Sequence, residues 1–208
     1  MTAQRGPPPA AATRMPVALA TIEDEHRTLA AVLHGLRFLV EEIRKGRMQP
    51  DFELFRAMVY YVDAYPERLH HPKEEDFLFR CLRARTSEAD ALLDELKAEH
   101  AAGEGAIRDL EKKLLAYEFG NRFESFATAA DAYVAAYFGH MRKEETQVLP
   151  LALKWLTAAD WSEVDAAFAA NGNPMADAAE PSFRSLFSRI VNLAPPPIGV
   201  GPLFPPRR

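Results

Sequence analysis

The chain has 208 residues, 48% of them hydrophobic, and 25 basic against 30 acidic side chains, for a formal net charge of -5. That length suits one domain with tails, and the acidic balance argues against a nucleic-acid or anionic-membrane surface. No apolar stretch nears a bilayer-spanning length, and Met1 to Met15 is rich in Pro and Ala without a hydrophobic signal core, so a soluble cytoplasmic protein is expected.

Residues 1–16, with Pro7-Pro8-Pro9 and an Ala run, bury too little to order themselves and are expected to form a disordered tail. From Val17 apolar residues recur at helical spacing, through Ile22, Leu29, Val32, Leu33, Leu36, Leu39, Val40 and Ile43, and the helix should stop near Gly46. Asp51 reads as the N-cap of a second helix that runs from Phe52 to Leu82. Pro66 and Pro72 lie inside it, where each removes a backbone donor and is expected to kink it. Cys81, the single cysteine, lies in an apolar run and reads as core; alone it excludes an internal disulfide and suits a reducing compartment.

Ser87 with Asp90 resembles a capped start for a third helix, carried by Leu92, Leu93, Leu96, His100, Ile107, Leu110, Leu114 and Leu115. Gly103 and Gly105 weaken it beside His100, which predicts a need for closeness or flexibility there. Asn121 with Glu124 opens a fourth helix toward Trp155, with Pro150 as an interruption. Thr157 and Asp160 should cap a short fifth helix around Trp161 to Ala170, ended by Asn171-Gly172-Asn173-Pro174, and Pro181 to Leu193 can form one more. The expected organisation is an all-α, antiparallel up-down four-helix bundle over 17–157, a helical extension over 158–193, and an extended or disordered Pro- and Gly-rich tail over 194–208.

One motif occurs twice. His70-His71-Pro72-Lys73-Glu74-Glu75 is answered by His140-Met141-Arg142-Lys143-Glu144-Glu145, and each copy trails a lone histidine, in Glu25-His26 and Glu99-His100. On an α-helix a residue four positions on returns to nearly the same face, so His70 with Glu74 and His140 with Glu144 each set an imidazole beside a carboxylate. With His26 and His100 facing inward as well, four imidazoles and two carboxylates gather at one point, a mixed set that suits iron, manganese or zinc. If both carboxylates bridge two six-coordinate ions, they supply about four bonds and the histidines about four more, of roughly twelve. A solvent-derived bridge adds about two and leaves open positions, which is how such a site binds a small molecule.

These residues resemble the hemerythrin-like (HHE cation-binding) family, in which helices two and four carry a His-x-x-x-Glu pair and helices one and three a lone histidine. The resemblance spans roughly Val17 to Leu156. It implies a four-helix bundle around a non-heme di-iron centre, two iron ions with a solvent-derived bridge, other divalent metals remaining open, and His26, His70, Glu74, His100, His140 and Glu144 as ligands. His71 with Glu75 has the same four-residue spacing, but Met141 stands where His71 would recur and is no hard nitrogen ligand, so His71 and Glu75 read as neighbours of the site. Oxygen-carrying members of the family have a fifth histidine where this chain has Glu104, a carboxylate that could ligate or face the pocket; the departure argues against reversible oxygen carriage.

The bland readings bound these. His34 reads as a packed or surface residue, and Lys73, Lys143, Glu75 and Glu145 as solvated helix faces. Tyr133 and Tyr137, two turns and one turn before His140, read first as core; the alternative is a phenol that hydrogen-bonds an oxygen ligand or quenches an oxidant. Phe77, Leu78, Val148 and Leu149 should wall the metals from solvent. Ferritin-like di-iron bundles need Glu-x-x-His on two helices; Lys97 and Tyr137 stand where the acids before His100 and His140 should be.

The expected function is therefore cytoplasmic di-iron binding, with oxygen, nitric oxide or peroxide as ligand, for sensing, storage or detoxification. Alternatives are iron storage or donation for repair of damaged iron centres, and a non-enzymatic module that docks a partner through its bundle and Ala194-Pro195-Pro196-Pro197. No nucleophile triad or phosphate loop is present, so any turnover is expected to be redox chemistry of the metals.

Overall fold

In the computed structural model, which describes residues 15–170 and 181–200, the described residues are helical apart from short turns. Helix α1 is Val17–Arg44, α2 runs unbroken over 52–85, α3 is Asp90–Glu118 and α4 runs unbroken over 123–155. Two shorter helices follow, α5 at Ala158–Ala169 and α6 at Pro181–Leu193. The tail expected over 1–16 falls, up to residue 14, outside the described residues, as do the turn over 171–180 and residues 201–208.

Local chemistry sets most helix ends. Asp51 caps α2 by accepting from the Leu54 amide at 3.0 Å. Thr157 and Asp160 form the expected capping box at the start of α5. Gly46 and Gly120, with φ of 69° and 96°, make the left-handed turns after α1 and α3. Two expected caps are not made. Neither Ser87 nor Asn121 places a side chain on a helix amide: α3 begins with Ala89 and α4 with Arg122 at the N-cap, neither making a side-chain cap bond.

The prolines do not break their helices. Around Pro66 and Pro72 the hydrogen bonding of α2 widens into π turns, Asp63–His70 and Glu74–Phe79, and α4 does the same at Glu144–Val148 just before Pro150. A wider turn accommodates a residue without an N–H, and residues in it advance less around the axis, which re-aims the side chains that follow.

Two apolar clusters fill the interior. One joins Leu29 to Val40 of α1, Leu54 to Tyr65 of α2, Ile107 to Leu114 of α3 and Phe126 to Met141 of α4, with Ile190 of α6. The other joins Ala18 to Ile22 of α1, Leu78 to Leu82 of α2, Leu93 and Leu96 of α3 and Val148 to Trp155 of α4, with Trp161, Val164 and Phe168 of α5. In each long helix the repeated histidines and glutamates fall where one cluster gives way to the other, so they form one polar layer between two dry cores. Cys81 belongs to the second core, as do Leu78, Val148 and Leu149, with Phe77 packed against it.

The segment after α6 differs from expectation over 194–200. Ala194 is fully buried, the Val200 amide returns to the Val191 carbonyl at 2.9 Å, and Ile198 packs so close to α1 that a Cβ on Gly35 would lie 2.8 Å from it. A composition that cannot form a helix has here found a groove to fill. A cleft of about 980 Å³ opens between α1, α2 and α6, lined by Leu39, Phe52, Tyr60 and Leu186 among others and by none of the motif residues.

Candidate metal centre

The polar layer holds two groups of donors that share a residue. His26, His70, Glu74 and Glu144 form the first, and His71, Glu74, His100 and His140 the second; within each group one ligand atom per residue lies within 4.8 Å of every other. All seven residues are buried. The i,i+4 pairs sit as their spacing requires, His70 Nε2 being 3.2 Å from Glu74 Oε1 and His140 Nε2 3.0 Å from Glu144 Oε1. Across helices, Nε2 of His26 and His70 approach to 3.2 Å and those of His100 and His140 to 3.0 Å.

Both glutamates span the groups. Glu74 Oε2 lies 3.7 Å from His100 Nε2, and Glu144 Oε2 lies 3.3 Å from His26 Nε2 while its Oε1 faces His140. Glu74 Oε2 and both carboxylate oxygens of Glu144 are buried and accept no hydrogen bond of sound geometry. Buried anionic oxygens without donors, facing convergent imidazole nitrogens, are costly in a bare protein and are satisfied by cations. The residues fit a pair of metal ions.

The electrostatics agree. Burial opposes charge on His70, yet Glu74 and Glu25 carry its pKa well above the ordinary value. Burial likewise opposes charge on His140, and Glu144 beside it still lifts it to about 9. Burial would raise Glu144, but His140, His100 and His26 hold it well below the carboxylate range. His71 moves the other way, kept neutral by burial and by His100.

Each of four histidines is also held from behind by a carboxylate of another helix. Nδ1 of His26 pairs with Glu145 at 2.9 Å, His70 with Glu25 at 2.5 Å, His100 with Glu75 at 2.8 Å and His140 with Glu99 at 2.9 Å. A donor bond from Nδ1–H leaves Nε2 free to face a metal and fixes the ring. Lys73 and Tyr65 converge on Glu25, at 3.2 and 2.7 Å, and Lys143 pairs with Glu95 and Glu99.

The structure thus brings the six expected residues together and corrects their surroundings. His71, expected beside the site, stands in the second group, ring-stacked on His100 at 3.9 Å. Glu75 and Glu145 are not merely solvated faces, nor is Lys73, which is 5% exposed. Tyr137 Oη lies 3.0 Å from His71 Nε2, and Tyr133, also buried, lies behind it with ring centroids 5.3 Å apart. Glu104 is placed away from the groups: its side chain is 59% exposed and pairs with Arg108. Gly105 next to it has open space around it, so no close approach explains it. His34 is exposed against Phe138, as its bland reading held.

Residues 17–152 match the hemerythrin HHE cation-binding domain. The chain belongs to that family. No curated protein and no solved structure matches it significantly. The hemerythrin match ends within α4, so α5 and α6 lie beyond it. Metal binding by the buried histidine and glutamate groups follows from family and geometry together.

Proposed function

We propose that this hemerythrin-family chain binds two iron ions, one at His26, His70, Glu74 and Glu144 and one at His71, Glu74, His100 and His140, and that a small diatomic ligand or peroxide reacts there, for sensing, storage or detoxification. The observation that carries the reading is the sharing of Glu74 between the two groups, with Glu144 reaching from one to the other. Shared carboxylates hold two ions close enough to act on one small molecule.

The order in which each helix meets the two apolar clusters supports the rest. It supports an antiparallel up-down bundle, with successive long helices reversed and one domain over 17–157. Iron there would supply one-electron chemistry and coordination positions open to a small ligand. The chain's own part is fixed by its residues: Glu25, Glu75, Glu99 and Glu145 orient imidazoles, the two dry cores exclude water, and the Tyr137 hydroxyl places a donor at the edge of the second group. One buried cysteine and the absence, among described residues, of a helix able to cross a membrane accord with a reducing, cytoplasmic setting.

The test is metal content with the optical spectrum of the anaerobically reduced protein, before and after oxygen and then nitric oxide. Two irons per chain and a new absorption band on addition of either gas are expected. A protein that takes up no iron from an anaerobic ferrous solution refutes the reading.

A further inference from the structure

Three of the four carboxylates behind the histidines reach solvent: the side chains of Glu75, Glu99 and Glu145 are 26%, 34% and 45% exposed. Glu25, behind His70, is 1% exposed. The difference comes from α5, which lies beyond the family match and packs on α1 and on residues 71–79 of α2. It is fastened at several points: Asp165 accepts from the Ala18 amide at 2.8 Å, Asp160 pairs with Arg85 at 2.8 Å and Glu163 with Arg80 at 2.5 Å. Its last turn delivers Phe168, fully buried, onto the edge of the metal layer. The ring lies 6.1 Å from the His70 ring and 4.7 Å from the Lys73 ammonium, which in turn holds Glu25.

We propose that Phe168 locks His70 as the immovable ligand of the first group, so that α5 sets how fast the ion at that position exchanges. This rests on the metal reading above. For an ion to leave, its ligands must swing away one at a time. His26, His100 and His140 are backed by carboxylates that reach solvent, whereas His70 is backed by the buried Glu25–Lys73 pair, which the Phe168 ring covers. The cation over the ring face is held without water, which stiffens the whole stack. Phe168 is a positioning residue, acting on the ion only through His70 and Lys73.

Two measurements test it on the full chain. In metal-free protein, histidine acylation by diethylpyrocarbonate, read by mass spectrometry, should proceed far more slowly at His70 than at exposed His34, and Phe168→Ala should speed it at His70 alone. In protein loaded with two equivalents of Zn(II), release to a colorimetric chelator should be biphasic, and Phe168→Ala should accelerate one equivalent by about tenfold or more while leaving the other unchanged, the scale expected for loss of a group that fixes a ligand. Phe168→Leu, which keeps apolar volume but removes the ring from Lys73, serves if the alanine variant unfolds, and should act in the same direction. Leu114→Ala, a comparable loss of buried volume in the other apolar cluster, touches neither α5 nor the metal layer and should not reproduce the effect. Unchanged His70 acylation and zinc release in folded Phe168→Leu, or equal acceleration by Leu114→Ala, would overturn the proposal. Failure of wild type to take up zinc would sink the metal reading itself, and the acylation rates, which need no metal, distinguish the two.

Discussion

Replacing His71 by methionine separates the six-residue ligand set read from the sequence from the seven-residue set assembled by the fold. The substitution is mild for the bundle. Met141 stands at the corresponding place in the second motif and is itself buried, and methionine is adaptable enough to fill a histidine-sized gap. It is severe for the second group, where it removes one of three imidazoles and leaves Glu74, His100 and His140. A site of four protein donors binds zinc with about 10–16 kcal/mol, so one donor carries about 2.5–4 kcal/mol, or roughly two to three powers of ten in affinity. A thioether is too soft to replace the lost nitrogen for such an ion. The expected outcome is one zinc equivalent weakened by that factor and one retained, in a titration against a chelator of known affinity at pH 7. Burial and His100 already keep His71 neutral, so the loss should not alter the number of protons released on binding. Two equivalents bound with wild-type affinity would refute the assignment of His71 to the second position.

Glu25→Gln keeps a hydrogen-bond acceptor beside His70 but removes the charge that Lys73 and His70 share, and should weaken the first position by about 10- to 100-fold in the same titration while sparing the second. Thr157→Ala removes the hydroxyl that accepts from the Asp160 amide, leaving the backbone amide of residue 157 on the Asp160 carboxylate, and should lower stability by about 1 kcal/mol in chemical denaturation with metal content unchanged. The metal-free protein should be most stable near pH 6.5, as read by thermal melts. His140 is raised to about 9, and His26, His70 and His100 are raised as well, so their contribution is fully present below about pH 6.5 and lost as pH climbs toward 9. His71 is lowered, so below about pH 6.5 the unfolded chain binds a proton that the folded chain refuses and stability falls again, and the lowered Glu144 adds to the fall only below about pH 4.5. A melting temperature rising steadily from pH 5 to 9 would contradict the apo-state contacts.

The residues of the polar layer were legible because α-helical periodicity and a repeated motif constrain each other. His26 and His100 alone are ordinary helix histidines, and only their matching places before two His-x-x-x-Glu pairs mark them as candidate ligands. His71 was missed because the register is transferred from Met141, and the prolines of α2, expected to kink the helix, instead accompany widened π turns. The π turn over Asp63–His70 ends immediately before His71, and slower advance around the axis lets adjacent residues 70 and 71 both reach the layer. Glu25, Glu75, Glu99 and Glu145 were hidden by composition, since a glutamate beside a ligand looks like a solvated face. The signal was present: each is adjacent in sequence to a ligand and each copy repeats it. Glu104 went wrong differently, through a position inherited from oxygen-carrying relatives; with an arginine four residues on, it is better placed in solvent.

The two halves of the layer are near copies, and the departures from symmetry bear on how the centre works. The first group has two imidazoles and two carboxylates, and the second has three imidazoles around the shared Glu74. Anionic donors favour the higher-charged state of a metal, whereas imidazoles favour the divalent state, so the proposed ions are unlike before any ligand arrives. Burial deepens the difference: Glu25 is sealed behind His70, whereas Glu99, holding His140, is 34% exposed and also pairs with Lys143. With iron in both groups, the ion easier to oxidise would lie beside the one facing Tyr137, which would separate the electron source from the position open to a small molecule. Stepwise anaerobic oxidation of the reduced protein, followed by electron paramagnetic resonance, should pass through a populated mixed-valence state with two resolved potentials. Glu25→Gln, by weakening the donor behind His70, should shift the first potential upward and move the second little. A single unresolved two-electron step in wild type would mean that the shared glutamates couple the ions strongly enough to erase the asymmetry of their donors.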